Sequence, residues 1–479
     1  MNKKIIIYIL SWVLKIEAIF LLIPIATAII YKEKTLSSFL IVFVISLLLG
    51  LFLGTQKPED TMFFAREGFI VVALSWLSLS FIGALPLYFS NEIPSFTNAL
   101  FETVSGFTTT GASILSDVES LSRSSQIWRS FTHWIGGMGV LVFILIILPL
   151  TGGSNMHLMK TESPGPSVSK LVPRLRTTAM ILYGIYFFIT ISEIVCLILF
   201  KMPIFDALCI SFGTAGTGGF SIKNDSLASY SICIQSIVTI FMFLFGINFI
   251  FYYYLFKKKF KLAFSISEVR CYFLIYLISG ILISINIFPA IKNIPLTIHH
   301  AFFQTSAIMT TTGYSSVDFD LWPTFSKNIL LIIMFIGACA GSTGGGIKVS
   351  RIMILFKQIK AELINFIHPR NIKIITIDKR KIEDQTIRQV LIFIITFIFV
   401  FVFSLFIISL DNFDFTTNFS AVAATINNIG PGFNKVGPML NYNEYSILSK
   451  YVLMFCMLAG RLELYPLLLF FYPNTWKNK

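Results

Sequence analysis

Apolar runs of about twenty residues recur from the first line of the chain to the last, separated by short polar stretches. A run of that length crosses roughly 30 Å of hydrocarbon as a helix. The pattern predicts spans at about 4–30, 36–54, 68–90, 126–150, 178–200, 230–256, 270–291, 326–360, 387–410 and 446–472. An even number of spans puts both termini on one side of the membrane. The first run is long and is followed by no small-residue cleavage site, so it is expected to be a retained helix rather than a signal peptide.

Between the spans lie four segments too short and too interrupted to cross a bilayer, yet too apolar for surface loops. They are SFTNALFETVSGFTTTGAS, PIFDALCISFGTAGTGGFS, PLTIHHAFFQTSAIMTTTGYS and DFTTNFSAVAATINNIGPG. Aligned on Gly111, Gly219, Gly313 and Gly430, they carry Ala99, Ala207, Ala301 and Asn418 twelve residues earlier. Two residues before each glycine stands Thr109, Thr217, Thr311 or Asn428, and two after stands Ser113, Ser221, Ser315 or Gly432. Each segment predicts a short half-helix, beginning near Phe96, Phe205, Leu296 or Phe415, followed by an extended stretch centred on glycine. The fold expected is therefore an all-α integral membrane protein. Four pseudo-repeats of span, pore half-helix, filter loop and span surround one central pore, and two extra N-terminal helices bring the total to ten spans. The boundaries are residues 1–60 for the extra pair, then 61–170, 171–262, 263–380 and 381–479 for the four repeats.

That unit has a specific use. Non-helical backbone at membrane depth is tolerated only where protein buries it or where it lines a watery path. Four such strands meeting on an axis present backbone carbonyls that replace the hydration shell of a cation. Glycine at the centre adopts positive φ, which lets successive carbonyls face the same axis. Half-helices that end just before the strands aim their negative C-terminal ends at the pore. Gly- and Thr-rich segments also make close helix packing or ordinary turns, but four glycines in one register and one topological slot favour the pore. The candidate filter residues are Thr109, Thr110, Gly111, Thr217, Gly218, Gly219, Thr311, Thr312, Gly313, Asn428, Ile429 and Gly430.

Composition agrees, because 55% hydrophobic and 13% charged residues over 479 positions exceed what one soluble core buries. The net charge of +13 would suit nucleic acid, but the basic residues gather in alternate loops. Lys3, Lys4, Lys57, Arg66, Lys160, Lys170, Arg174, Arg176, Lys257, Lys258, Lys259 and Lys261 share one side with the basic stretch 348–388, and that side is predicted cytoplasmic, with both termini. The opposite loops hold Asp117, Glu119, Asp225, Asp318, Asp320, Asp411, Asp414 and Glu444. The six cysteines lie in or near apolar segments without metal-site spacing and read as small core residues. His299 and His300 read as structural. No nucleophile, metal or acid–base set appears, so no enzyme and no organic cofactor is expected.

The eighth span breaks the pattern. Thirty-five residues would form a helix of roughly 52 Å, so it must break, and the break is predicted at Gly337–Gly346, where five glycines and two hydroxyl residues stand. A phosphate-binding loop is excluded, since Ile347 separates Gly346 from Lys348. Residues Gly341, Ser342, Thr343, Gly344, Gly345 and Gly346 are candidates for a gate under the third filter; a passive kink is the rival reading. Arg461 lies in the middle of the last span, where a charge costs roughly 2.5–3.5 kcal/mol. It needs the loop carbonyls, Glu463 or the pore as partner, and Glu463 is disfavoured because residues two apart face different sides of a helix. Lys348 and Arg351 fit either a contact for a regulator or positive-inside anchors.

The loops FTTTGAS, GTAGTGGFS, MTTTGYSS and NNIGPGF, with the run HWIGGMG from His133 to Gly139 and GSTGGGIKVSR from Gly341 to Arg351, resemble the TrkH/TrkG/KtrB superfamily of potassium transporters over essentially the whole chain. The two extra N-terminal spans resemble the TrkH branch. The resemblance implies potassium uptake across the cytoplasmic (inner) membrane, potassium as the bound and transported ion, symport, a homodimer with one pore per subunit, and control by a cytosolic nucleotide-binding ring protein of the TrkA type. It also implies a gating role for the loop in the eighth span and for Arg461. TGGFS and NIGPG depart from the TTGxS form of the other two loops, which predicts looser ion selection. An ion-coupled secondary solute transporter with discontinuous helices is the alternative, disfavoured because such proteins show two-fold repeats with ionisable groups at midplane.

Overall fold

The computed structural model describes residues 2–56, 58, 65–139, 175–368, 374–378 and 380–477. In chain order the helices are α1 (Lys3–Tyr31), α2 (Leu36–Gly54), α3 (Ala65–Phe89), α4 (Phe96–Phe107), α5 (Arg123–Gly137), α6 (Leu175–Leu199), α7 (Ile204–Gly216), α8 (Ile232–Phe245), α9 (Phe249–Phe256) and α10 (Phe260–Ser265). They continue as α11 (Ser267–Ile291), α12 (Ile294–Met309), α13 (Thr324–Ile336), α14 (Val349–Ile367), α15 (Asp384–Ile408), α16 (Phe415–Ile426), α17 (Ile447–Arg461) and α18 (Tyr465–Phe471). A two-stranded hairpin, β1 (Thr376–Ile377) and β2 (Arg380–Lys381), joins α14 to α15. The expected basic residues Lys57, Lys160, Lys170, Arg174, Arg370, Lys373 and Lys379 lie outside the described residues.

The burial pattern inverts that of a water-soluble domain. Along α15, Ile395, Phe399, Phe403 and Phe406 are exposed while Phe393, Phe397, Val400 and Phe401 are buried. At the centre, Ser, Thr and Asn side chains of α4, α7, α12 and α16 are buried instead. An apolar rim around a polar, fully packed middle is what a hydrocarbon solvent selects. Among the described residues six helices are long and apolar enough to cross a membrane, and the bent pair α8 and α9 makes a seventh.

Six expected spans appear as continuous helices: α1, α2, α3, α6, α11 and α15. The other four do not. The 126–150 span holds α5 as far as Gly137, and 140–150 lies outside the described residues. The 326–360 span breaks between α13 and α14, as the glycines predict. The 230–256 and 446–472 spans, expected as single helices, are also broken. Helix α9 turns 93° from α8, because Asn248 caps the new helix by accepting from the Ile250 amide at 2.9 Å and Gly246 packs where a Cβ would sit 2.4 Å from the Tyr272 hydroxyl. The last span breaks after Arg461 through Glu463 and Leu464, at φ 55° and 69°. Neither break was signalled by a glycine cluster.

Ser122, Ser231 and Ser446 cap α5, α8 and α17 by accepting from the amide three residues on, which fixes where each helix starts. The N-terminal pair α1 and α2 packs together, with α1 also against α3 and α5. The six cysteines are free; Cys209, Cys339 and Cys456 are buried, Cys196 and Cys271 half-buried, and Cys233 exposed. The small-core reading thus fits the buried three and fails for Cys233, which faces outward from α8.

Candidate ion-conduction site

Each of α4, α7, α12 and α16 ends in the same backbone arrangement. The residue at positive φ donates three residues back: Thr109 to Gly106 at 3.0 Å, Thr217 to Thr214 at 3.0 Å, Thr311 to Ile308 at 3.1 Å and Asn428 to Thr425 at 3.2 Å. The next residue donates five back: Thr110 to Ser105, Gly218 to Gly213, Thr312 to Ala307 and Ile429 to Ala424, all within 2.8–2.9 Å. This is a Schellman closure, in which the left-handed residue is usually glycine. Here it is threonine three times, at φ 56°, 55° and 60°, and asparagine once, at φ 56°. A β-branched residue at positive φ costs about 1–3 kcal/mol. Such strain persists only where the surroundings impose it.

Two residues later the glycines also stand at positive φ: Gly111 78°, Gly219 75°, Gly313 81° and Gly430 97°. The sign of φ alternates along each stretch, which turns successive carbonyls toward one side.

The four stretches close into a ring. A Cβ on Gly111 would lie 1.9 Å from the Gly218 carbonyl oxygen, on Gly219 1.9 Å from that of Thr312, and on Gly313 1.9 Å from that of Ile429. A Cβ on Gly430 would lie 2.7 Å from the Thr110 oxygen. Each loop thus touches the next, and the fourth returns to the first. The carbonyls that meet the glycines belong to Thr110, Gly218, Thr312 and Ile429, two threonines, a glycine and an isoleucine. What the ring shares is main-chain oxygen. On one side of it opens a cavity of about 140 Å³, lined by Gly111, Gly219, Gly313 and Gly430 with Ser113, Ser221 and Ser315.

The unequal sequences have local consequences. In the first and third loops Thr108 and Thr310 bond to Thr110 and Thr312 at 2.8 Å. In the fourth, the Asn428 amide donates to Thr110 Oγ1 and to the Met457 carbonyl, each at 2.9 Å. Asparagine therefore ties the last loop sideways to the first.

Against the other side of the ring lies the segment between α13 and α14. The Gly345 amide donates to Thr311 Oγ1 at 2.6 Å and the Gly346 amide to the Asn427 carbonyl at 3.1 Å. A Cβ on Gly344 would approach the Thr310 oxygen to 2.9 Å, and one on Gly345 the Asn427 oxygen to 2.4 Å. The side chain of Ser342 donates to the Cys339 carbonyl at 2.7 Å, and the Gly341 carbonyl accepts from Phe249 at 3.0 Å. Arg461 Nη1 donates to the Thr343 carbonyl at 2.9 Å, while Nη2 reaches the carbonyls of Gly136 and Gly137. Glu463 pairs instead with Arg351 at 2.5 Å. Lys348 is buried with Nζ on the Gly344 carbonyl, and Arg351 is buried over the Phe393 ring at 4.1 Å. Neither is a simple solvent-facing anchor.

The chain matches the family model described as TrkH, cation transport protein, over residues 35–478. The chain belongs to the TrkH family. It is 35% identical to the Trk system potassium uptake protein TrkG of Escherichia coli (strain K12), over 95% of each chain. It is equally close in identity to TrkH of the same strain, over 96% of each. The crystal structure of the potassium transporter TrkH from Vibrio parahaemolyticus superposes with a TM-score of 0.89 at 31% identity, covering 100% of both chains. These matches place it on the TrkH branch, as the sequence suggested, and it is a multi-pass membrane protein.

The motif runs that carried the resemblance have structural work. In HWIGGMG, His133 stacks on Phe220 at 4.2 Å, and Gly136 and Gly137 let α5 press against the Phe107 carbonyl and Gly216. Gly460 does the same against the Ile426 carbonyl. His299 Nε2 donates to Gln235 Oε1 at 2.7 Å, and His300 Nδ1 is hydrogen-bonded with Ser316 Oγ at 3.0 Å, in keeping with a structural role.

Sequence reasoning missed one buried pair. Arg129 on α5 donates through Nε at 2.9 Å and Nη2 at 2.6 Å to Glu102 Oε1 on α4. Glu102 also accepts from Ser113 Oγ at 3.0 Å and the Ile114 amide at 3.1 Å, and Arg129 lies over the Phe220 ring at 4.2 Å. The pair holds the exits of the first and second loops together. The available signal was the presence of ionisable residues inside membrane segments.

Proposed function

We propose that this protein carries potassium into the cell through the ring of backbone carbonyls built from Thr110, Gly218, Thr312 and Ile429 with their neighbours. The observation that carries the reading is the closure of that ring, loop to loop, through glycines that leave no room for a Cβ. Uncharged oxygens at a helix-C-terminal focus replace a cation's water without trapping it. The names of the relatives, Trk system potassium uptake proteins, support potassium as the ion.

In this reading the chain forms four pseudo-repeats around one pore, with ten spans counted across the broken helices. It sits in the cytoplasmic membrane with both termini inside, and it works as a homodimer under a cytosolic nucleotide-binding subunit of the TrkA type. The segment Gly341–Gly346 and Arg461 form the gate. Support comes from the loop's bonds to Thr311 and Asn427 and from the Arg461 bond to Thr343, which tie this stretch of main chain to the ring and to the last span.

The test is ion uptake by purified protein in liposomes. Potassium and rubidium should enter along their own gradients and compete with each other, and Gly313→Ala should abolish entry while the protein still inserts and elutes as before. Uptake that survives Gly313→Ala would remove the filter reading. Repeating the measurement with and without sodium and proton gradients assigns the coupling that symport implies.

A further inference from the structure

The break between α13 and α14 is straddled by one carboxylate from another helix. Glu268, second residue of α11 and only 7% exposed, accepts through Oε1 from the Ala340 amide at 2.7 Å and from the Ser350 amide at 3.1 Å. Ala340 leads into the glycine segment, and Ser350 is the second residue of α14. Oε2 is approached by the Asn248 side-chain amide at 3.5 Å. Asn248 heads α9, whose first amide, Phe249, donates to the Gly341 carbonyl. One anionic group therefore holds both ends of the break, with its charge at the N-terminus of α14, where the helix dipole favours it.

Glu268 is in turn placed from outside the membrane-spanning helices. The preceding amide, Ser267, donates to Asp378 Oδ1 at 2.8 Å. Asp378 is the turn residue of the hairpin, between Ile377 and Arg380, at φ 49°. The hairpin is fixed to α14 by Lys357 Nζ on the Thr376 carbonyl at 2.6 Å and by Ile375 packing with Ile354, Ala361, Ile387 and Val390. A continuous set of direct bonds thus runs from an exposed hairpin, through two adjacent residues of α11, to the segment against the ring.

We infer that Glu268 is a positioning residue that fastens the glycine segment, and that Asp378 makes the hairpin the handle through which a cytosolic load moves it. The inference rests on the gate reading given above. It also separates from plain helix capping, because a cap changes stability and not ion flux.

The experiment measures rubidium flux into liposomes holding the full chain, beside thermal stability and elution, for E268A, E268Q, D378A, D378N and E268A/D378A. Losing a hydrogen-bonded carboxylate should raise basal flux about tenfold for E268A. E268Q, which keeps one acceptor, should fall between, D378A should raise flux about threefold, and D378N should behave as the parent chain. The double variant should match E268A alone, since both act through one contact. Flux unchanged in E268A and D378A, or effects that simply multiply, would overturn the inference. If E268A does not assemble, E268Q with the D378A and D378N pair decides by the same criteria. A variant lacking Gly344 and Gly345 separates the two readings. If it changes flux while E268A and D378A do not, this inference falls and the gate stands; if it too leaves flux unchanged, both fall.

Discussion

The guanidinium of Arg461 donates to the carbonyl of Thr343 at 2.9 Å, joining the end of α17 to the glycine segment between α13 and α14. The same group holds the carbonyls of Gly136 and Gly137 at the end of α5. A charge that is costly in mid-membrane is thus satisfied by backbone oxygens of two broken spans.

Arg461→Gln removes the charge and keeps some donor capacity. It should raise basal potassium flux about tenfold, because hydrogen bonds from a charged donor contribute about 1.5–3 kcal/mol to the arrangement they hold. Arg461→Lys, with a point charge instead of a planar fork, should fall between. Liposome flux alongside yield and elution checks this. Unchanged flux with normal assembly would leave Arg461 as a structural bridge only.

Substitution of the ring glycines should be graded by contact. Gly111, Gly219 and Gly313 each leave 1.9 Å between a new Cβ and a neighbouring oxygen, whereas Gly430 leaves 2.7 Å. Alanine at the first three should abolish potassium flux, and alanine at Gly430 should leave a measurable fraction. All four add strain at positive φ of about 1–2 kcal/mol. Flux assays on the four variants, normalised to inserted protein, test the order; equal losses at all four would count against the ring geometry.

Much of the ring was legible because its residues must recur at one offset, and Thr109, Thr217, Thr311 and Asn428 share one left-handed position two residues before the glycine, where the sequence predicts only extended backbone. The break at Gly337–Gly346 was legible for a similar reason: five glycines cannot hide in an apolar run. The breaks after Phe245 and Arg461 were not, since they depend on Asn248 capping a new helix and on Glu463 being drawn away to Arg351. Those are tertiary demands with little local signature. The Glu102 and Arg129 pair is a contact across 27 residues, which spacing within one helix does not suggest. Likewise the contact between Asp378 and Ser267 spans 111 residues, so the hairpin reads from sequence as only another basic loop.

Asn428 is the residue through which the fourth loop departs most from the others. Its amide holds Thr110 Oγ1 and the Met457 carbonyl. Asn428→Ala should lower potassium selectivity over sodium about fivefold, the effect of losing a bond of about 1 kcal/mol that fixes one quarter of the ring. Asn428→Thr restores the residue type of the other loops and should do less damage. Competition of sodium with rubidium uptake measures both. Selectivity that does not move in Asn428→Ala would mean that the sideways tie to the first loop is packing alone.

The Glu102 and Arg129 pair sets a different expectation, on stability. Both side chains are buried, at 3% exposure or less, and breaking one partner leaves an uncompensated charge, at a cost of about 3–5 kcal/mol. Glu102→Gln keeps one acceptor oxygen, which can still receive the Arg129 and Ser113 bonds, so it should cost less than Arg129→Met, which strands the carboxylate. The double variant E102Q/R129M should recover part of the loss, because neither charge is then buried alone. Thermal unfolding of the detergent-solubilised protein gives the three values. Potassium flux should fall in both single variants in proportion to the disorder they bring to the exits of the first two loops. A double variant no more stable than Arg129→Met would show that the pair contributes shape and hydrogen bonds rather than charge balance.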